Sequence, residues 1–379
     1  MSTATHRSPL TDWTVLVPVV ALAALAFSWG RDLPSWAVVL VSLCLAGAVL
    51  AAVHHAEVVA HRVGEPFGSL VLAVAVTVIE VALIVTLMAD GGAKTSSLAR
   101  DTVFAAVMIT CNGIVGLSLL VGALRNRVAV FNAEGSGAAL ATVATLAVLS
   151  LVLPTFTTSK PGPEFSTAQL TFAAVASLAL YGLFIAVQTV RHRDYFLPVD
   201  TKRHREEAAR ATASAAAGED DDHAEPPSSR AALTSLGLLL VALIAVVGNA
   251  KAVSPTIEAG VESAGLPNAV VGVIIALLVL LPETLAAVRA ARRDRVQTSL
   301  NLAYGSAIAS IGLTIPAIAL ASIWLSGPLT LGLGPVHMVL LALTVVINAL
   351  TIAPGRATLL QGGVHLVLFA GFIFLAVSP

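Results

Sequence analysis

The chain has 379 residues, of which 57% are apolar and only 11% are charged. Soluble domains carry about 25% charged residues, so this composition excludes an ordinary soluble globule and predicts an integral membrane protein in a lipid bilayer. The net charge of −1 at pH 7, with no basic domain, argues against a nucleic-acid partner. Both cysteines, Cys44 and Cys111, lie in apolar segments and fit neither a disulfide framework nor a metal site, and we expect no cofactor.

Apolar runs predict eleven transmembrane helices, because a hydrocarbon core of about 30 Å needs roughly 20 apolar residues per helix. The runs lie near 12–29, 35–53, 66–89, 98–124, 138–157, 166–190, 231–250, 267–289, 297–325, 331–353 and 358–378. They are too continuous for the alternating strands of a barrel, so the predicted fold class is an all-α integral membrane protein. The first run could also be a cleaved signal peptide, with Ala21-Leu22-Ala23 as the cleavage site, but its weakly basic flank favours a retained helix.

The distribution of Lys and Arg predicts the orientation in the membrane, since cytoplasmic loops are enriched in both. With the N-terminus inside, 16 of the 21 Lys and Arg residues fall in cytoplasmic segments. We therefore expect a multi-pass protein of the cell inner membrane, with a cytoplasmic N-terminus and an extracytoplasmic C-terminus.

One segment, residues 191–230, is polar and includes the acidic run from Gly218 to His223 followed by Pro226-Pro227. This composition predicts a disordered cytoplasmic linker, either a solvated connector or a low-affinity cation sensor. The linker divides the chain into an N-terminal helix (1–34), a first five-helix repeat (35–190) and a second five-helix repeat (231–379).

Short matches support the repeat. The segment Arg100–Val103 resembles Arg293–Val296, and the same offset of 193 aligns Asn112-Gly113 with Gly305-Ser306. An odd number of helices per repeat forces the two halves into opposite orientations. Secondary transporters with such inverted repeats bind their substrate near the midplane, at the repeat interface.

Glu80 and Glu283 are the strongest functional signal. Each lies in an apolar run just upstream of one matching segment, where an acidic residue costs about 2.5–3.5 kcal/mol. Protonation removes this cost, and a bound cation offsets it. A carboxylate that alternates between the two states exchanges cations for protons, so Glu80 and Glu283 are the candidate metal- and proton-binding residues; the alternative is a glutamate that hydrogen-bonds between helices.

The neighbouring residues are candidates for a supporting role. Pro282 removes an amide donor, which frees the carbonyl of Leu278 for a cation or simply kinks the helix. Hydroxyls of Thr77 and Thr284 could add oxygen ligands, because hard cations take six to eight oxygens. The aligned small and polar residues are expected either to border the glutamates or to serve close helix packing; they are Asn112, Gly113, Gly305 and Ser306.

Other polar residues give weaker signals. His54, His55, His61 and Glu57 are expected in a cytoplasmic loop, as a solvated cluster or a pH sensor. His337 and His365 are expected in the core. Asp101 and Asp294 are expected to cap helices or, alternatively, to line the mouths of the pathway.

From about residue 56 to its end, the chain resembles the cation/Ca²⁺ exchanger superfamily, and most closely the bacterial ChaA-type calcium/proton antiporters. The resemblance is carried by the segments from Gly64 to Glu80, from Arg127 to Pro154, from Ser254 to Ser306, and by Gly355-Arg356 with Gln361-Gly362. It implies antiport of Ca²⁺, with Na⁺ or K⁺ as further possibilities, against H⁺.

The chain departs from the wider family at the Gly-Asn pair that usually precedes each glutamate, where it has apolar residues and Pro282. Ala309 replaces a common glutamine, so the family's ligand set transfers only to Glu80 and Glu283. Two other functions stay open. One is an uncoupled cation channel, and the other is an intramembrane hydrolase built on Ser306 with His337 or His365.

Overall fold

The structure, a computed structural model, describes residues 12–31, 33–64, 67–91, 95–199, 227–267, 269–324 and 327–378. Within these ranges the chain forms twelve helices. They are α1 Trp13–Ser28, α2 Ser35–Val63, α3 Phe67–Gly91, α4 Leu98–Asn126, α5 Ala133–Phe156, α6 Thr167–Arg191, α7 Ser229–Ser263, α8 Ala269–Val279, α9 Leu281–Arg292, α10 Val296–Ala321, α11 Pro335–Ile352 and α12 Leu359–Val377. The predicted acidic run of the linker lies outside the described residues.

The helices confirm an all-α membrane protein. Eight helices of the described part are long and apolar enough to cross a membrane, and α8 with α9 makes a ninth if the bent pair counts as one span. Two further apolar segments, α1 and residues 74–89 of α3, are shorter. Each predicted helix has a counterpart, and eleven stands as an approximate number of spans.

Two helices run well past their predicted ends. Hydropathy placed the second and seventh helices at 35–53 and 231–250, whereas α2 reaches Val63 and α7 reaches Ser263. Hydropathy detects only the part of a helix that lies in hydrocarbon. The helix can continue into polar sequence, because each further residue adds a backbone hydrogen bond to the turn before it. His54, His55, His61 and Glu57 therefore lie within α2 and not in a loop.

Three helices contain a π-turn, and only the one in α4 lies near the helix centre. A π-turn covers Ile109–Ile114 in α4, and others occur at Val148–Val152 in α5 and Val187–Arg191 in α6. Between α8 and α9 the chain bends by 50°. Pro282 lies in the first turn of α9 and cannot donate a backbone hydrogen bond, which accounts for the break at this point.

Helices α4 and α10 form the centre of the molecule. In each helix we consider the most apolar stretch of 18 residues. The buried share of this stretch is 89% in α4 and 61% in α10, but only 22% in α6 and 22% in α12. Helices α3 and α6 pack on α10, while α8 and α12 pack on α4. Helices α1, α2 and α7 form a second cluster, where Asn249 donates to the carbonyl of Ala21 at 2.8 Å.

A short β ladder joins the two halves of the chain. Strand β1, Ala129–Val130, pairs antiparallel with β2, Arg356–Ala357. Asn132 then starts α5, because its side chain accepts from the amides of Glu134 and Gly135. The cap explains why α5 begins before the predicted residue 138.

Candidate functional site

A cavity of about 210 Å³ lies between α3, α6, α10 and the start of α9, and both glutamates line it. Its lining consists of Val76, Thr77, Glu80, Tyr181, Phe184, Ile185, Gln188, Leu280, Glu283, Thr298, Asn301, Leu302, Gly305, Ser306, Ala309 and Ser310. Five predicted site residues meet here: Thr77, Glu80, Glu283, Gly305 and Ser306. Glu80 and Glu283 border the same cavity, one from α3 and the other from α9.

Glu80 projects into the cavity from the middle of α3 and is only 4% exposed. The hydroxyl of Ser310 donates to its Oε1 atom at 2.6 Å. Sequence analysis missed Ser310. The available signal was its spacing of four from Ser306, which places both hydroxyls on one face of α10.

Glu283 enters the cavity from the first turn of α9, just after the bend. Its Oε2 atom is buried and has no hydrogen-bond partner among the residues that the structure describes. A buried carboxylate oxygen without a donor is costly, so this atom is an open acceptor for a proton or a cation. The bend places it there, because a straight continuation of α8 would point the start of α9 in another direction.

Neutral oxygen atoms also line the cavity. Hydroxyls come from Thr77, Thr298 and Ser306, and an amide comes from Gln188. Within the described ranges, no group of three or more His, Cys, Asp and Glu side chains could hold a metal ion. A cation between the two glutamates would therefore complete its shell with hydroxyl, amide, backbone or water oxygens.

Thr284 and Pro282 are not among the residues that line the cavity. The hydroxyl of Thr284 donates to the carbonyl of Leu280 at 2.7 Å, so it supplies a hydrogen bond to a backbone carbonyl at the break between α8 and α9. Pro282 acts on the site through the bend that positions Glu283.

Asn112 and Gly113 also lie away from the cavity, unlike the expectation that they border the glutamates. The Asn112 amide donates to the hydroxyl of Thr344 at 2.9 Å, and its Oδ1 lies 3.2 Å from Nδ1 of His365. Gly113 faces the ring of Phe369. The π-turn is the physical reason, because an extra residue in the turn rotates the side chains that follow it.

The arrangement of the histidines does not support a hydrolase at Ser306. His365 contacts Asn112 and Thr351, the latter at 3.1 Å, and His337 packs edge-on against Phe104. Neither histidine lines the cavity with Ser306, whereas a serine nucleophile needs a base within hydrogen-bond reach.

The cavity extends toward one membrane face. Beyond the glutamates its lining follows the last turns of α6, at Gln188, and the first turns of α10, at Thr298 and Asn301. Both helix ends adjoin segments that the Lys and Arg distribution predicts to be cytoplasmic.

Three relatives are similar to nearly all or most of the chain. A protein of Sinorhizobium fredii, y4hA, whose name assigns it to ionic transport, is 45% identical over 97% of this chain and 96% of its own length. The sodium-potassium/proton antiporter ChaA of Escherichia coli is 34% identical over 96% of this chain and 95% of its own length. A Ca²⁺/H⁺ antiporter of Aphanothece halophytica is 25% identical over 75% of this chain and 76% of its own length.

A solved structure confirms the fold. The native protein YfkE superposes with a TM-score of 0.70 at 14% identity, covering 97% of this chain and all of YfkE. The family model for the sodium/calcium exchanger protein matches residues 33–190 and 234–378, which include both glutamates. The resemblance to the cation/Ca²⁺ exchanger superfamily is thus confirmed, and the chain belongs to the sodium/calcium exchanger family.

Proposed function

We propose that the protein is a secondary antiporter that exchanges a cation for H⁺ by alternating access, and that Glu80 and Glu283 carry both ions. The observation that supports this most strongly is that two intramembrane carboxylates line one cavity, and that one of them has a buried oxygen without a hydrogen-bond partner in the described part of the chain. Neither carboxylate has a basic partner among the described lining residues.

The two glutamates make cation and proton binding mutually exclusive. Ionised, unpaired carboxylates are costly inside a membrane, and two like charges in one site add to that cost. With both glutamates protonated the pair is neutral, and with both ionised it needs a cation. The site therefore carries either protons or a cation. Protons and cations are then transported across the membrane in opposite directions.

Ca²⁺ is the proposed main substrate, with Na⁺ and K⁺ as further candidates. Two ionised carboxylates balance the charge of one divalent ion, and the hydroxyls and amides that line the cavity are hard oxygen groups of the kind that Ca²⁺ takes as ligands. The names of two relatives, a Ca²⁺/H⁺ antiporter and a sodium-potassium/proton antiporter, support cation/proton exchange and leave both ion types to be tested.

The helix contacts support two inverted repeats. Helices α3 and α6 of the first half pack on α10 of the second, and α8 and α12 of the second half pack on α4 of the first. Such an exchange of partners is what two halves related by a pseudo-two-fold axis produce. We propose that the two repeats are residues 35–190 and 231–379. We also propose that the protein lies in the inner membrane with its N-terminus in the cytoplasm.

Flux in proteoliposomes tests the function. The purified protein is reconstituted in vesicles that contain a pH-sensitive dye, with the membrane potential clamped by a K⁺ ionophore when Ca²⁺ or Na⁺ is tested. We expect an acidic interior to drive uptake of labelled Ca²⁺, and added Ca²⁺ to discharge the pH gradient. Cation uptake that depends on the membrane potential and is independent of the pH gradient would instead identify a channel and contradict the proposed antiport.

A further inference from the structure

Three short connections between helices meet at one corner of the molecule. They join α4 to α5, α9 to α10 and α11 to α12, over residues 127–132, 293–295 and 353–358. The guanidinium group of Arg125, in the last turn of α4, donates to the carbonyl of Arg292, the last residue of α9, at 2.6 Å. Asn126 donates to the carboxylate of Asp294. The ends of α4 and α9 are therefore in direct contact.

The third connection reaches the same corner through the β ladder. Val130 of β1 pairs with Arg356 of β2. A Cβ atom added at Gly122 of α4 would lie 2.8 Å from the side chain of Val296 in α10 and 3.2 Å from Cβ of Ala129 in β1. The β ladder thus packs against the end of α4 and the start of α10, and all three connections share this end of the helix bundle.

Six arginines lie in or next to the three connections, and all six are exposed. We call them the arginine cluster; they are Arg125, Arg127, Arg292, Arg293, Arg295 and Arg356. Two carboxylates, Asp294 and Glu134, lie in or next to the same connections. Within the described ranges, the ion pairs of the protein lie elsewhere, at Arg100 and at Lys160. The positive charge of the cluster is therefore largely uncompensated.

The orientation of the protein in the membrane does not by itself require such a cluster. An excess of Lys and Arg in cytoplasmic segments sets the orientation, whether or not these residues converge in the folded protein. The three connections contain arginine and no lysine. The planar guanidinium group of arginine binds two oxygens of one phosphate at once, which the ammonium group of lysine does not. The composition of the cluster therefore favours a phosphate ligand.

Exposed leucines lie directly beside the arginine cluster. Leu124 precedes Arg125 and is 68% exposed, and Leu360, in the first turn of α12, is 74% exposed. A Cβ atom added at Gly362 would lie 2.8 Å from the amide nitrogen of Leu120, one turn before Leu124. Both leucines therefore lie at the same end of the contact between α4 and α12. Arginines beside an apolar surface match the phosphate and the acyl chains of a phospholipid.

We propose that the arginine cluster binds the headgroup of an anionic phospholipid, and that the acyl chains of this lipid lie on Leu124 and Leu360. The cluster lies at the ends of helices that cross the membrane, so it is at the level of the lipid headgroups. With the proposed topology these belong to the cytoplasmic leaflet. Lipid binding does not require that the protein be an antiporter, so the two proposals can fail separately.

Native mass spectrometry of the purified protein in detergent tests the lipid site. Phosphatidylglycerol or phosphatidylcholine is added in equal amounts, and the fraction of protein with bound lipid is measured. We expect the wild-type protein to retain phosphatidylglycerol in preference to phosphatidylcholine. Arg292→Gln, Arg293→Gln and Arg356→Gln together should lower the affinity for phosphatidylglycerol about a hundredfold, and each alone about fivefold, because each removes one charge near the headgroup.

The matched control combines Arg31→Gln, Arg62→Gln and Arg230→Gln, which removes the same charge from exposed positions outside the cluster. It should bind phosphatidylglycerol as the wild-type protein does. Glycerol phosphate, which has no acyl chains, should displace the lipid only weakly. Equal binding of both lipids, or an equal loss of affinity in the control, would overturn the lipid site. Displacement by glycerol phosphate as effective as that by phosphatidylglycerol would show that the cluster binds a soluble anion, and would also overturn it.

Discussion

The two glutamates have different surroundings, and we propose that this difference gives them different parts in the exchange. Glu80 is supported by a hydroxyl donor from Ser310, while Glu283 presents a buried oxygen with no partner. A donor to a carboxylate stabilises its ionised form. We therefore expect Glu283 to be the carboxylate that a bound proton or cation stabilises most.

Replacing either glutamate by glutamine should abolish coupled exchange. Glu80→Gln and Glu283→Gln keep the shape of the side chain but remove the charge that a cation requires, and the proteins should still insert. Glu→Asp should retain a fraction of the activity at best, because it withdraws the carboxylate by one methylene. Glu258→Gln on α7, where Ser254 donates to the carboxylate, is the control and should exchange normally. Near wild-type exchange by either variant would make that glutamate structural.

Ser310→Ala should weaken cation binding without abolishing it. A hydrogen bond to a charged group contributes about 1.5–3 kcal/mol, so its loss should reduce apparent cation affinity about tenfold or more. The loss should be largest at low pH, where protons compete for Glu80. Ser322→Ala, whose hydroxyl serves only the carbonyl of Ala319 at the end of α10, is the control. Unchanged affinity in cation-dependent flux would remove Ser310 from the site.

At the scale of helices, the bend between α8 and α9 is the feature that builds the site. It turns the chain by 50° directly before Glu283. The first turn of α9 then directs the carboxylate of Glu283 into the cavity. The hydroxyl of Thr284 donates a hydrogen bond to the carbonyl of Leu280. The bend explains how an apolar helix delivers one acidic side chain to a cavity on its flank.

Pro282→Ala should therefore impair exchange although it touches no ion. Alanine restores the amide donor that proline lacks, which allows α8 and α9 to join into one straighter helix. The straighter helix should move Glu283 and lower apparent cation affinity several-fold in the flux measurement. Pro316→Ala, at a proline within the unbroken α10, is the control. Wild-type kinetics for Pro282→Ala would show that packing alone sets the bend.

Local sequence predicted the positions of the helices and the intramembrane glutamates, because hydropathy and the cost of a buried charge act within one segment. Local sequence did not predict the surroundings of Asn112. The π-turn at Ile109–Ile114 turns this residue toward His365 and Thr344, some 230 and more positions away in the chain. Ser310 was missed for a similar reason, since only the packing of α3 on α10 brings its hydroxyl to Glu80.

At the scale of the whole molecule, the cavity that holds both glutamates extends toward one end of the helix bundle. It reaches toward the end of α6 and the start of α10, while the rings of Phe104, Phe372 and His337 pack together near the start of α4. With the predicted topology this is an inward-facing state. The asymmetry is what alternating access requires of two similar halves.

The topology itself can be tested with reporter fusions. A fusion near residue 220 should be active as a cytoplasmic fluorescent protein, and a phosphatase fused after Pro379 should be active only outside. The reason is the excess of Lys and Arg in the predicted cytoplasmic segments. Reporters that place both sites on one side of the membrane would refute the odd number of spans and the inverted orientation of the halves.

Proton release on cation binding tests the central claim most directly. Ca²⁺, Na⁺ or K⁺ is added to the purified protein in weakly buffered detergent solution, and the pH change is recorded together with the bound cation. If Glu80 and Glu283 carry both ions, the wild-type protein should release protons in proportion to the cation bound, and the double Glu→Gln variant should release none. Saturable cation binding in the wild-type protein without proton release would contradict the account.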